Sequence, residues 1–442
     1  MAPPTQREMI RRAILYQFQL RLLCIGAWRA SLGDSDSESD DSDNNSSDSS
    51  DAAGNIHLTM LHTLQALLDT TAIIHRVTST RYLTPRHNII KMGQLELLTA
   101  FSQSPQDHER FVNMVRVSPY VFSSIVAMIE NDPVFQNNSP NEQTPVDHQL
   151  AITLYRLGRF GNGGSIEDIA RFAGVGHGSV PLFTNRCFDA IERLHPIFVR
   201  PLTRDEKEIE KSWIDRHLGF HGSWREGYIM YDGTIVPLSE KPTLNGQAYF
   251  TRKSNYGLNV QIGNVPSNLR IVDYSHGFTG SAHDASAFEY TAARKHPELL
   301  FEGDEHGFGD SAYALSEHMI PMFRSPAADL PENHLFCLTL SHLRVRSEHC
   351  MGALKGRWQS FKGLRQSIAK NRHHVRACRW ITIGIILHNI VVELEGIPEH
   401  DPFILQGGGN DEQEDMAMGN DLVEGEAKRQ CLVDEVNTFH RH

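Results

Sequence analysis

The chain has few cysteines for its length, and none of them are spaced as in a zinc site. Six cysteines are scattered over 442 residues, and no two form a CxxC pair. Zinc fingers and disulfide scaffolds both need closely patterned cysteines, so neither is expected. The cysteine content instead fits a reducing compartment.

Long hydrophobic runs are also lacking. The longest extends from about Trp380 to Val392, which is too short to span a bilayer and contains His388 and Asn389. The N-terminal apolar stretch carries arginines, unlike a secretory signal. The sequence therefore predicts a soluble intracellular protein with no membrane partner.

Two tracts contain no basic residue and account for the acidic balance of the chain. Residues 34–51 hold eight acids and residues 410–426 hold seven, so the remainder sums to +3 although the whole chain carries −12. Residues 344–379 hold ten Lys or Arg and a single acid, Glu348. Because phosphate binding depends on local basic patches, the acidic total does not exclude a nucleic-acid partner.

These shifts in composition divide the chain into segments. Residues 1–33 form a basic amphipathic segment, residues 34–51 an acidic Ser/Asp tract and residues 403–442 an acidic tail. Both acidic segments are predicted to be disordered, because they bury too little apolar surface. The Ser/Asp tract is interpreted as a solubilising linker or as a phosphorylated regulatory segment. Residues 52–117 show helical patterning without an assignable role.

Residues 118–200 are predicted to be helical. Ser118-Pro119 begins one helix, and Ser165 with Asp168 forms a capping pattern before another. Glycines at 174 and 176 separate that helix from the one predicted over residues 179–193. Two short helices around a glycine-containing turn indicate a DNA-binding helix-turn-helix (HTH), or else a plain helical bundle.

The periodicity changes after Trp224. Residues 227–238, 257–265 and 269–275 read as three strands, followed by a helix, a short strand ending in FGDSAY, and two long helices. This pattern predicts an α/β domain over residues 224–394. The order of elements is that of an RNase H-like core.

Three acids occupy positions suited to metal ligands. Asp232 ends an apolar strand, Asp310 lies in GFGDSAY, and Glu348 lies on the basic helix. Hard cations such as Mg²⁺ prefer carboxylate oxygens, and a pair of them can cleave a phosphodiester. Taken singly, each acid is better interpreted as a structural residue than as a metal ligand, and Glu348 could simply be an ion-pair partner of the surrounding bases.

Four ordered blocks carry a resemblance to a known family. They are MYDGTIVPL, HGFTGSAHDASAF, FGDSAY and RVRSEHCMGALKGRWQSF, and the upstream helical stretch over residues 146–180 agrees with them. Together they resemble the PIF/Harbinger transposases over residues 118–394. Ala312 departs from the family pattern, as do Ser347, His349 and Cys350 around the glutamate, but no carboxylate is lost.

The resemblance implies a DDE-type endonuclease acting on DNA at element ends. It implies that Asp232, Asp310 and Glu348 bind Mg²⁺ or Mn²⁺, 37 residues separating the last two. It further implies a Myb/SANT-like partner protein, and it fits a nuclear location and a homo-oligomer. Two alternatives stay open: a domesticated DNA-binding or scaffold protein that has lost cleavage, and an RNA-directed nuclease.

Other residues receive supporting roles. Asp284 competes for the second ligand position, but it follows the third strand and opens a helix, so an N-cap or supporting role suits it better. The basic residues around Glu348 are predicted to contact the DNA backbone. They are Arg344, Arg346, Lys355, Arg357, Lys362 and Arg365.

Overall fold

The computed structural model describes residues 5–33, 48–80, 93–137, 142–398, 400–407 and 423–441. The chain divides into two units, Met1–Ile90 and Lys91–His442. The boundary falls inside the segment 52–117, which therefore belongs to both units. Most of the predicted disordered tract 34–51 lies outside the described residues, whereas residues 48–51 begin a helix.

The first unit is built from two long helices, α1 (Gln6–Gly33) and α2 (Asp48–Ser79). They contact each other. None of the side chains that the structure describes in this unit is buried. The helical patterning expected before residue 80 is thus present, and the described side chains of this unit form no buried core.

The second unit begins with a group of short helices. They are α3 (Leu95–Gln103), α4 (His108–Val115), α5 (Pro119–Ile129), α6 (Val146–Leu157), α7 (Ile166–Ala173), α8 (Ser179–Glu192) and α9 (His195–Phe198). Ser118 and Ser165 cap α5 and α7, each hydroxyl accepting a backbone N–H at 3.1 Å. Gly174, at a positive φ of 64°, ends α7. The two helices of the predicted HTH are therefore present, and their binding to DNA stays a prediction.

A five-stranded mixed sheet follows. Its strands are β1 (Gly227–Pro237), β2 (Gly257–Asn264), β3 (Ile271–Thr279), β4 (His306–Gly309) and β5 (Met319–Pro321). The order is β3-β2-β1-β4-β5, with β1, β2 and β3 antiparallel and β4 and β5 parallel to β1. The first four strands agree with the sequence, which gave no sign of the three-residue β5.

Helices cover both faces of the sheet. They are α10 (Arg204–Leu218), α11 (Asp284–Phe288), α12 (Ala292–Lys295), α13 (Pro331–Arg357), α14 (Asn371–Glu395), α15 (Pro402–Gly407) and α16 (Val423–Phe439). Side chains alternate along β1, so Tyr231 packs with α10 and α11 while Met230 packs with α13 and α16. The second of these faces carries the candidate site.

The prediction of a disordered tail over residues 403–442 is wrong for its last part. Leu432, Val433 and Val436 of α16 are fully buried against α13 and the sheet. Trp224 Nε1 donates a hydrogen bond of 2.9 Å to the Leu432 carbonyl, and Asn437 reaches the Glu332 carbonyl at 2.7 Å. An apolar stripe at helical spacing outweighs the acidic composition here.

Helix α14 is long and apolar enough to cross a membrane, by length and composition alone. In the fold, 83% of its most apolar window is buried inside the protein. Asn389 on this helix bonds to both backbone groups of Ile271 in β3, at 2.9 and 2.7 Å. These contacts are those of a core helix packed on the sheet.

Candidate active site

Asp232 and Asp310 lie on neighbouring parallel strands. Met230 in β1 is paired with Phe308 in β4, and each aspartate follows two residues later. Since side chains alternate along a strand, both carboxylates continue the face that Met230 and Phe308 share. Extended by two residues, this register places both predicted ligands on one face of the sheet, with Asp310 directly after β4. Asp232 lies in the middle of β1, opposite Ile262 of β2, so the prediction that it ends a strand is wrong.

Local backbone groups orient these two carboxylates. Asp232 Oδ1 accepts the N–H of Gly233 at 3.0 Å, and Asp310 Oδ1 accepts the N–H of Ala312 at 2.8 Å. Both aspartates are half-buried. Ala312 contributes through its backbone N–H, which a glycine at this position would supply equally.

Glu348 projects from α13, which packs across the same face of the sheet. Arg344 lies one turn before it, and its Nη2 is 3.4 Å from Asp232 Oδ1. Positions four apart lie on one side of a helix, so the side of α13 that carries Glu348 also carries the contact to Asp232. The Glu348 side chain itself is exposed.

The three carboxylates do not form an assembled metal site. Among the described residues, no group of three or more His, Cys, Asp and Glu side chains is arranged to hold a metal ion. The chemistry of the donors suits a hard cation, but a guanidinium contacts Asp232 in this arrangement. The positive charge next to the Asp232 carboxylate is therefore that of the Arg344 guanidinium.

Asp284 is the first residue of α11, and His283 occupies the N-cap position. Asp284 therefore lies one residue after the N-cap position that was predicted for it. Acids in the first helical turn interact favourably with the helix dipole, so the position still suits an acid for a structural reason.

The prediction of phosphate contacts is wrong for Arg346 and Arg357. Arg346 donates to the carbonyls of Pro266 and Ser267, at 2.6 and 3.1 Å. Arg357 pairs with Asp401 at 2.9 Å, and both side chains are about 7% exposed. Two of the six predicted DNA-binding residues thus hold the fold together from inside.

The other basic residues are more accessible. Arg365 is exposed and donates to the Gly161 carbonyl at 2.7 Å, while Lys355 is half-buried. Lys362 is half-buried and donates to the Gln406 carbonyl, and burial lowers the pKa of its ammonium. With Arg344, they leave a basic surface along the end of α13 and the following loop.

The residues that replace the family pattern around Glu348 point inward. Ser347 bonds to Asn264 at 3.1 Å, and the Cys350 thiol reaches the Leu269 carbonyl at 3.5 Å. Burial raises the pKa of Cys350, Arg346 lowers it, and the Asp232 carboxylate raises it further. Cys350 is therefore a protonated core residue near the site, not a nucleophile.

The segment after β5 contributes residues that the sequence gave no reason to select. Met322 Sδ lies 3.7 Å from Arg344 Nη1, and Arg324 donates to the carbonyl of Ser311, the neighbour of Asp310. No periodicity or motif marks this segment. Only the fold shows that it borders both aspartates.

Two aspartates on one face of the sheet, beneath a basic helix, define a candidate carboxylate site of the nuclease class. The family model of the DDE superfamily endonucleases matches residues 231–389, which include Asp232, Asp310 and Glu348. The match covers just over a third of the chain and supports a DDE-type, transposase-related nuclease domain. No curated protein and no solved structure matches the chain.

Proposed function

We propose that this protein is a metal-dependent DNA endonuclease of the DDE type, with an RNase H-like core and a PIF/Harbinger origin. The observation that carries the proposal is the register of β1 and β4, whose last pair, Met230 with Phe308, precedes each of the two aspartates by two residues. The strand order β3-β2-β1-β4-β5 supports the same core. The test is Mg²⁺- or Mn²⁺-dependent nicking of a labelled duplex, with a chelator as control.

In this proposal Asp232, Asp310 and Glu348 hold the divalent cation, Mg²⁺ or Mn²⁺. When bound, such a cation activates water and stabilises the leaving oxygen. The backbone N–H groups of Gly233 and Ala312 keep the two aspartates oriented. Asp284 begins α11, which packs on the opposite face of the sheet, and its supporting role stays a prediction.

The DNA backbone is proposed to follow the accessible basic residues. Replacing Lys355 and Arg365 by glutamine should weaken binding to all DNA sequences alike, because phosphate contacts carry no sequence information. The slope of log Kd against log salt should fall by about 0.9 for each charge that contacts a phosphate. Fluorescence anisotropy between low and moderate salt measures both effects.

Arg204→Gln is the matched control for this experiment. Arg204 begins α10, its side chain is 86% exposed, and it pairs with Glu302 at 3.4 Å. Its loss should leave the salt slope unchanged. An unaltered slope in the Lys355 and Arg365 variants would instead place the DNA elsewhere.

A second candidate function is a catalytically silent DNA-binding or scaffold protein. It is favoured by one observation: the three carboxylates are not grouped, and Arg344 contacts Asp232. In the endonuclease proposal, Arg344 is displaced from Asp232 when the cation binds. The two proposals therefore differ in what the removal of Arg344 does.

Arg344→Met should strengthen binding of Mn²⁺ by on the order of tenfold, since a competing positive charge leaves the carboxylates. Electron paramagnetic resonance of free Mn²⁺ during titration measures this without any cleavage. Arg365→Met removes an equal charge farther along the chain and serves as control. Absence of Mn²⁺ binding in both parent and variant would favour the silent scaffold.

The remaining proposals concern the cellular setting. A DNA substrate is what an endonuclease domain implies. We propose a nuclear location, a Myb/SANT-like partner that supplies sequence recognition, and a homo-oligomer. Co-purification of the full chain from nuclear extract, followed by identification of bound proteins, tests all three.

A further inference from the structure

A cavity of about 530 Å³ opens directly beside the candidate site. Ser311, the neighbour of Asp310, forms part of its wall, and Met322 joins it to Arg344 and so to Asp232. Its volume lies within the roughly 300–1,000 Å³ usual for sites that hold small molecules or parts of larger ligands. We refer to it as the Asp310 cavity.

Aromatic and cationic groups line one side of the Asp310 cavity. The Arg429 guanidinium lies over the Phe323 ring, 4.0 Å from its centroid. Arg429 is about nine-tenths buried and pairs with Glu426, yet its Nε has no hydrogen-bond acceptor within the described chain. This arginine comes from α16, far from the carboxylates in sequence.

Another part of the lining is apolar. It includes Pro326, Ala327 and Leu330, which lie between β5 and α13. Leu330 keeps 46% of its surface exposed, although it is a large hydrophobic residue. A ligand entering here would meet an apolar wall, a stacked ring and guanidinium, and the hydroxyl of Ser311.

We propose that the Asp310 cavity receives an unpaired nucleobase of the DNA strand that is held at Asp232 and Asp310. This inference rests on the proposed function, and it specifies which part of the protein holds a base of the bound DNA strand. Nucleobases are flat and apolar on their faces but carry hydrogen-bonding groups at their edges. Aromatic rings and arginine planes stack on those faces, while donors read the edges.

Continuity with the carboxylates favours a base over other flat ligands. A nucleotide whose phosphate lies at Asp310 has its base within one sugar of that phosphate, and the cavity begins at the next residue along the chain. Unstacking a base costs a few kcal/mol, least where the duplex is already unpaired. The cavity would therefore favour DNA with an unpaired base.

The experiment compares two labelled 20-base-pair duplexes by fluorescence anisotropy with the full chain, in a chelator so that no cleavage occurs. One carries a single bulged thymidine, and the other carries an abasic residue in the same bulge. Both are bent alike, so they differ only in the base. We expect the thymidine bulge to bind about tenfold more tightly, as expected for stacking of one base.

Ala327→Phe should fill the cavity and abolish this tenfold difference. Ala328→Phe is the matched control, since Ala328 is the next residue, is also half-buried, and does not line the cavity. Leu330→Ala should reduce the difference, while Leu338→Ala, with the same 46% exposure on α13, should not. Thermal melting checks that all four variants are folded.

Equal binding of the two bulges by the parent would overturn the inference while leaving the proposed endonuclease intact. A tenfold preference for the thymidine bulge that persists in Ala327→Phe would also overturn the inference. Failure to bind either bulge or a fully paired duplex would overturn the proposed function, and this inference with it.

Discussion

Replacing Asp232 by asparagine is expected to reduce Mg²⁺-dependent nicking by about a thousandfold or more. The amide keeps the size of the side chain but removes the negative charge that attracts a hard cation, whose contribution is several kcal/mol. The Gly233 N–H can still donate to the amide oxygen, so β1 should keep its local shape. Cleavage of an end-labelled duplex by parent and variant measures the effect.

Asp304→Asn provides the control for Asp232→Asn. Asp304 is an exposed acid that precedes β4 and lies outside the sheet. The Asp304→Asn variant should cleave DNA at the rate of the parent. Both variants should keep the melting temperature and the DNA affinity of the parent. Nicking that survives in Asp232→Asn would move the active site elsewhere. A parent that does not nick DNA with either metal would favour the silent scaffold.

Replacing Arg357 by alanine is expected to lower the free energy of unfolding by about 3–5 kcal/mol, the range for breaking a buried ion pair. Its guanidinium pairs with Asp401, donates to the Arg116 carbonyl at 2.7 Å and lies over the Phe403 ring. Burial lowers the pKa of Arg357, and Asp401 opposes this shift. Alanine would leave the Asp401 carboxylate buried without its partner.

Urea unfolding followed by tryptophan fluorescence measures this loss. Arg365→Ala is the control, because that side chain is exposed and should change stability by less than about 0.5 kcal/mol. The double change Arg357→Met with Asp401→Asn should cost less than Arg357→Ala, since no unpaired charge remains. A stable Arg357→Ala protein with weakened DNA binding would restore the original prediction of a phosphate contact.

The sequence predicted the sheet well because strand periodicity is local. Residues 227–238 are mostly apolar and are followed by turn-forming residues, so β1 was placed within one residue of its observed bounds. The placement of Asp232 and Asp310 on one face of the sheet could not be predicted from local periodicity. It depends on β4 lying parallel to β1, and only the resemblance to a known family linked the two residues beforehand.

Burial of charged side chains was not predictable in the same way. Arg346 and Arg365 belong to one run of basic residues, but one bonds to buried carbonyls and the other is exposed. Composition measures charge density and does not show which side of a helix meets the core. The rest of the site, including Met322 and Arg429, depends on long-range packing.

The position of α16 has a consequence for how the chain is made. About a hundred residues separate β5 from α16. At a synthesis rate of about 5–20 residues per second, α16 is therefore completed roughly 5–20 s after β5. During that interval Phe336 and Leu340 present an uncovered apolar face on the ribosome. A nonsense mutation between residues 400 and 430 should therefore yield an aggregating chaperone client, even though every proposed metal ligand has already been translated.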